Sequence, residues 1–110
     1  MITIKTFAVG RRVPVPCDYL IDVRGMDNPH SQFPTLDGRD TGVKAFMLRH
    51  NGQQIYNIIR QYVDTPDGKT IGIMCGHGKH RSVAVAELLA EILIKRGRYV
   101  NIHHLELEGK

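Results

Sequence analysis

Ile71-Gly72-Ile73-Met74-Cys75-Gly76-His77-Gly78-Lys79-His80-Arg81-Ser82-Val83 decides the fold of this chain. Residues 70–74 form a short apolar run of strand length, and Gly72 inside it marks close approach by another backbone or side chain. From about residue 81 to 96 the period changes to that of a helix. Val85, Leu88, Leu89 and Ile92, with Val83 and Ile94, give a wide apolar surface, while Glu87, Glu91 and Lys95 share the other face. Lys95 and Arg96 suit the negative end of that helix, and Gly97 suits its C-cap. A buried strand therefore hands over to a long helix through a turn rich in glycine, histidine and arginine. Anions bind at such junctions because the first-turn N–H groups have no partner inside the helix.

Upstream, Ile2-Thr3-Ile4-Lys5-Thr6-Phe7 alternates in the manner of a strand. Gly10-Arg11-Arg12, Pro14 and Pro16 break the pattern and predict a loop carrying two arginines. Tyr19-Leu20-Ile21-Asp22-Val23 reads as a second, more buried strand. Residues 24–41 hold Gly25, Asn28-Pro29, Pro34 and Asp37-Gly38 with little periodicity, which predicts a long ordered loop of the functional kind. Val43, Phe46 and Met47 begin a helix capped by Asp40 or Thr41. After a break at Asn51-Gly52, a second helix presents Ile55, Ile58, Ile59 and Tyr62 on one face. Pro66-Asp67-Gly68 makes a turn, and residues 99–105 supply the last strand. This order predicts an α/β protein: a single small domain over 1–110, with a mixed, partly parallel sheet, right-handed helical crossovers and an anion-binding strand-loop-helix.

A chain of 110 residues with 42% hydrophobic content can bury one substantial core. No apolar stretch approaches the roughly 20 residues of a membrane span, and no secretory leader pattern is present, so a cytoplasmic protein without membrane contact is expected. Cys17 and Cys75 are too few for a disulfide framework and are expected as free thiols. The formal charge of +4 is compatible with an anionic partner such as RNA and equally with an ordinary solvated surface.

Within the junction, Gly76 and Gly78 let the backbone curl around oxygens, Arg81 offers a bidentate fork, and Ser82 offers a hydroxyl or a helix cap. Two common nucleotide loops are excluded. A Walker-type loop needs glycine where Ile73 stands and a hydroxyl residue where His80 stands; a dinucleotide fingerprint needs glycine at Arg81. No cofactor is expected. The histidines His77, His80, His103 and His104 with Asp22 do not follow a zinc-ligand spacing, so no metal is expected either.

Cys75, with Arg81 six positions later and Ser82 after it, resembles the signature of cysteine-dependent phosphatases. That resemblance implies a thiolate attacking phosphorus while the arginine holds the oxygens. Met74 departs from the histidine usual there, and no Asp among Asp22, Asp40, Asp64 and Asp67 is marked as the leaving-group acid. Simple packing of Cys75 at a strand end, a ligand contact and a nucleophile all remain open.

A wider resemblance covers roughly residues 7–108. Asp22-Val23-Arg24 with Asn28-Pro29-His30, Leu36-Asp37-Gly38-Arg39-Asp40 with Val43, Cys75-Gly76-His77-Gly78-Lys79-His80-Arg81-Ser82-Val83 with Ala86-Glu87, and His103-His104-Leu105-Glu106-Leu107-Glu108 together resemble the C-terminal domain of the RapZ (YvcJ-type) RNase adapter family. The resemblance implies binding of sugar phosphate and RNA and carries over Asp22, His30, Cys75, Gly78, His80 and Arg81 to the pocket; with Gly76, His77, Lys79 and Ser82 of the junction they make the expected phosphate- or ligand-binding set. Asp22 and His30 would form the wall opposite the cradle. Arg24 is read either as a ligand contact or as a salt-bridge partner of a nearby carboxylate. RNA contact would use Lys79, Lys95, Arg96, Arg98, His103 and His104 on phosphates rather than bases. The family's nucleotide site lies in a domain outside this sequence and is not carried over. Its basic tail is reduced here to Gly109-Lys110, and Leu105 stands where a basic residue is expected. The expected activity is therefore non-catalytic binding of a phosphorylated small molecule or RNA in a regulatory adapter. A protein partner and a homo-oligomer, with Phe46, Tyr56 and Ile58 as its face, are the remaining expectations.

Overall fold

The period-two and period-3.6 segments become four strands and two long helices in a computed structural model that describes residues 1–11 and 15–108. The elements run β1 (Ile2–Ala8), β2 (Tyr19–Asp22), a 3-10 turn (Pro29–Ser31), α1 (Thr41–Tyr62), β3 (Thr70–Cys75), α2 (Arg81–Lys95) and β4 (Val100–His104). Strand order is β2-β3-β1-β4, and all three pairings are parallel. The α/β expectation holds, with the parallel part extending over the whole sheet. Arg12 and Pro14 of the predicted arginine loop, and Gly109-Lys110, lie outside the described residues.

Both crossovers, β2-α1-β3 and β3-α2-β4, advance across the sheet in the same direction. With right-handed crossovers both helices must then cover the same face, and α1 and α2 do pack on each other. The core lies between. Ile2, Ile4, Ile71 and Ile73 are fully buried from the sheet side; Val43, Met47, Val85, Leu89 and Leu93 are fully buried from the helices. On the other face the β1–β2 connection returns across β3, placing Cys17 against Gly72. A Cβ at Gly72 would meet Cys17 Sγ at 3.0 Å and Phe7 Cε1 at 3.3 Å, the close approach that the glycine predicted.

Local chemistry sets the element ends. Asp40 caps α1, its Oδ2 accepting the N–H groups of Gly42 and Val43. The predicted break at Asn51 is a kink: Asn51 alone has non-helical backbone angles (φ −129°, ψ 25°) inside α1. Its buried side chain accepts the Asp27 N–H at 2.8 Å and donates to the Asp27 carbonyl at 3.3 Å. The α2 C-terminus closes as a Schellman motif, with Gly97 (φ 80°) donating to the Ile94 carbonyl and Arg98 to the Leu93 carbonyl.

A fully parallel sheet has one further consequence. All four strand C-termini open on one edge, so the segments following β1, β2, β3 and β4 converge where α/β proteins bind ligands.

Candidate anion-binding site

The segment after β3 occupies the centre of that edge. Cys75 is buried, and its sulfur accepts the N–H of Gly78 at 3.2 Å and of Ser82 at 3.4 Å, while its thiol donates to Ser82 Oγ at 3.2 Å. The sulfur thus draws residues 76–82 into a closed loop. Gly78 takes φ 71°, and a Cβ there would meet Glu106 Cγ at 2.5 Å, Ala8 N at 2.8 Å and the Phe7 carbonyl carbon at 2.9 Å. Only glycine fits both demands. Gly38 packs on the loop's far end, its N–H bonding the Lys79 carbonyl at 2.8 Å.

The first turn of α2 is left open. No side chain caps it and it contains no acidic residue; Ser82, a predicted cap, is buried and bonded to Cys75 instead. Among the described residues, the backbone N–H groups of His77, Lys79, His80 and Arg81 have no acceptor within the protein. Such a nest of donors, at the positive end of a helix, is chemically suited to an oxyanion.

Beside it lies a cleft of about 210 Å³ lined by Arg11, His30, Pro34, His77, Lys79 and His80. Its lining contains cationic and protonatable side chains and no carboxylate. The long loop does bring His30 here, its ring centroid 5.3 Å from that of His80 and 6.3 Å from that of His77. Asn28 caps the short 3-10 turn that carries His30, and Pro29 starts it. His80 is an anchor as well as a lining residue, with Nε2 3.0 Å from the Phe33 carbonyl oxygen.

Other predicted site residues are placed differently. Asp22 lines a neighbouring, more apolar cleft of about 400 Å³, together with Ile21, Val23, Gly25, Met26, Gln54, Asn57 and Ile58. Its carboxylate is held by Arg24 at 2.7 Å, and that hydrogen-bonded guanidinium keeps the Asp22 carboxyl below the usual carboxylate range. Arg24 is thus a salt-bridge partner. The smaller cleft is the better chemical match to an anion, because its lining and the N–H groups without acceptors agree in sign. Arg81 is in the lining of neither cleft: Nη1 donates to the Arg24 carbonyl at 2.6 Å and reaches that of Met26 at 3.4 Å, and Nη2 lies 3.2 Å from where a Gly76 Cβ would be. One arm of its fork therefore ties the β2 exit to the loop.

The predicted RNA-contact set is divided. Lys79 precedes α2, whereas Lys95, Arg96 and Arg98 lie at its other end, about 22 Å away at 1.5 Å per residue. Arg98 also donates to the Thr65 carbonyl at 2.6 Å. His103 and His104 alternate across the strand: His103 is 3.3 Å from Glu108, while buried His104 bridges Thr6 Oγ1 and Glu87, each at 2.8 Å. In the proposed oligomer face, Phe46 is buried against Phe33 and His50, Ile58 packs on the core, and only Tyr56 is exposed.

Sequence reasoning missed Arg11 as a lining residue and Glu106 as the side chain beneath Gly78. The two loop arginines were visible, but only the parallel register of β1 and β3 puts one of them beside the cradle.

Comparison with known proteins agrees with the motif placement. The family model described as the RapZ C-terminal domain matches residues 1–108. The chain is 34% identical to the RNase adapter protein RapZ of Photorhabdus laumondii, and 33% identical to those of Escherichia coli O1:K1 / APEC and Klebsiella pneumoniae. Each match covers 96% of this chain and 42% of the relative, so the chain spans well under half the length of the proteins it matches. With cradle, strand order and terminal turn inside the matched span, the chain belongs to the RapZ C-terminal domain family.

Proposed function

We propose that this domain is a regulatory adapter module that binds the phosphate group of a phosphorylated small molecule or of RNA, without covalent chemistry. The observation that carries this reading is the uncapped start of α2, where four backbone donors without acceptors adjoin a cleft of Arg11, Lys79 and three histidines. The name of the full-length relatives, RNase adapter protein, supports the adapter part. Among the described residues no helix is long and apolar enough to cross a membrane.

A cysteine-phosphatase reading is favoured by one feature, the two N–H groups donated to the Cys75 sulfur. It is opposed by the 2% exposure of Cys75 and by the use of Arg81 on two carbonyls. Calorimetric titration with inorganic phosphate, a phosphosugar and a short structured RNA tests the binding reading. Saturable binding of at least one is expected; no heat at millimolar small ligand and micromolar RNA removes it. Turnover of an activated aryl phosphate that vanishes in Cys75→Ser would replace binding by catalysis. A protein that captured a protein partner but neither class of phosphate would leave only the adapter part.

A further inference from the structure

Glu106 is an unexpected residue to find behind an anion cradle. Its side chain is 4% exposed, and Gly78 of the loop lies directly on it. A carboxylate so placed repels an incoming phosphate and is costly to bury, so its retention calls for a positive partner that offsets both effects. Among the contacts described, the Ala8 N–H donates to Oε2 at 3.1 Å, and Arg11 Nη1 lies 3.8 Å from Oε1. The backbone makes this placement systematic. Leu105 N–H continues the ladder to the Thr6 carbonyl, and the turn formed by Leu107 and Glu108 N–H on the His104 carbonyl delivers Glu106 to the end of β1.

Arg11 has the complementary character. It is 70% exposed on its side chain, it lines the same cleft as His30, His77 and Lys79, and the segment after β1 brings it beside Glu106. At 3.8 Å from Glu106 its guanidinium is steered without being consumed by a close bidentate pair, leaving donors for a second acceptor.

Resting on the anion-binding reading above, we infer that Arg11 is a ligand-contacting arm of the cleft and that Glu106 is its positioning residue. The ligand's phosphate sits on the free N–H groups of the loop, and Arg11 closes on its outward oxygens. The terminal turn after β4 is then a third wall of the site.

The test is titration of the intact chain with inorganic phosphate in four forms: unchanged, Arg11→Ala, Glu106→Gln and the double variant. Arg11→Ala should weaken binding about ten- to a hundredfold, the size of one charge-assisted contact, and should also lower the thermal midpoint, because it removes the positive partner of buried Glu106, while the protein stays folded at the temperature of the titration. Arg11→Lys should recover only part, because an ammonium lacks the fork. Glu106→Gln should weaken binding in the parent but not in Arg11→Ala, where loss of the repelling carboxylate leaves phosphate affinity equal or raises it, a coupling that a merely structural carboxylate does not produce. If Glu106→Gln does not fold, Glu106→Asp takes its place in the same cycle. Phosphate binding that is unchanged in Arg11→Ala overturns the arm; additive losses overturn the positioning role. Absence of phosphate binding in the unchanged protein overturns the underlying reading instead.

Discussion

At the scale of single residues, the cradle depends on atoms that are absent as much as on those present. Gly78 combines a left-handed backbone with Glu106, Ala8 and Phe7 pressed against the space of a Cβ. Gly78→Ala therefore incurs the left-handed penalty of about 1–2 kcal/mol and an overpacking cost of about 1–3 kcal/mol. Gly76, by contrast, does not take a positive φ and has only the movable Arg81 Nη2 nearby. Urea denaturation should show Gly78→Ala destabilised by about 2–5 kcal/mol and Gly76→Ala by less than about 1 kcal/mol; equal losses would refute the packing of Glu106 under the loop. Reading the sequence located both glycines but could not rank them. The ranking depends on a residue 28 positions later that only the β1–β4 register brings underneath.

At the scale of elements, the instructive case is α1. The Asn51-Gly52 pair was legible as a break because both residues are poor inside helices, and the structure bends there, two helical segments meeting at a kink whose single non-helical residue is Asn51. The amide of Asn51 explains the kink: it leaves the helical pattern to hold both backbone groups of Asp27, and so fixes the β2 exit that carries His30. Asn51→Ala leaves those groups unpaired at a partly buried site, for a cost of about 1–3 kcal/mol. Hydrogen exchange should show faster opening of residues 24–31 while the β1–β3 ladder stays protected. Uniform acceleration over the whole sheet would mean that Asn51 supports the core rather than the loop. Such long-range side-chain-to-backbone contacts have no periodic signature, which is why the loop was legible as ordered but its anchor was not. The α2 junction was legible for the opposite reason: strand, glycines, helix and charged C-terminus are all local signals.

At the scale of the whole molecule, parallel pairing fixes what can act together. Strand ends converge, so Arg11, His30, the 76–82 loop and Glu106 share one edge. Lys95 and Arg96, at the far end of α2, cannot reach it. The sequence grouped Lys79 with them because all are basic; the 15-residue length of α2 separates them. If the domain binds RNA through both groups, the phosphates meet two separate footholds, one at the cleft and one at the α2 C-terminus. Lys79→Ala should weaken both inorganic phosphate and RNA, whereas Lys95→Ala should weaken RNA alone. Each substitution should lower the slope of log affinity against log salt by about 1, independently of RNA sequence. Millimolar phosphate should displace RNA partly, by competing at the cleft foothold only, and the residual binding should be the part that Lys95→Ala removes. If Lys95→Ala leaves RNA affinity and its salt slope unchanged, the far end of α2 takes no part, and the cleft is the sole seat of anion recognition.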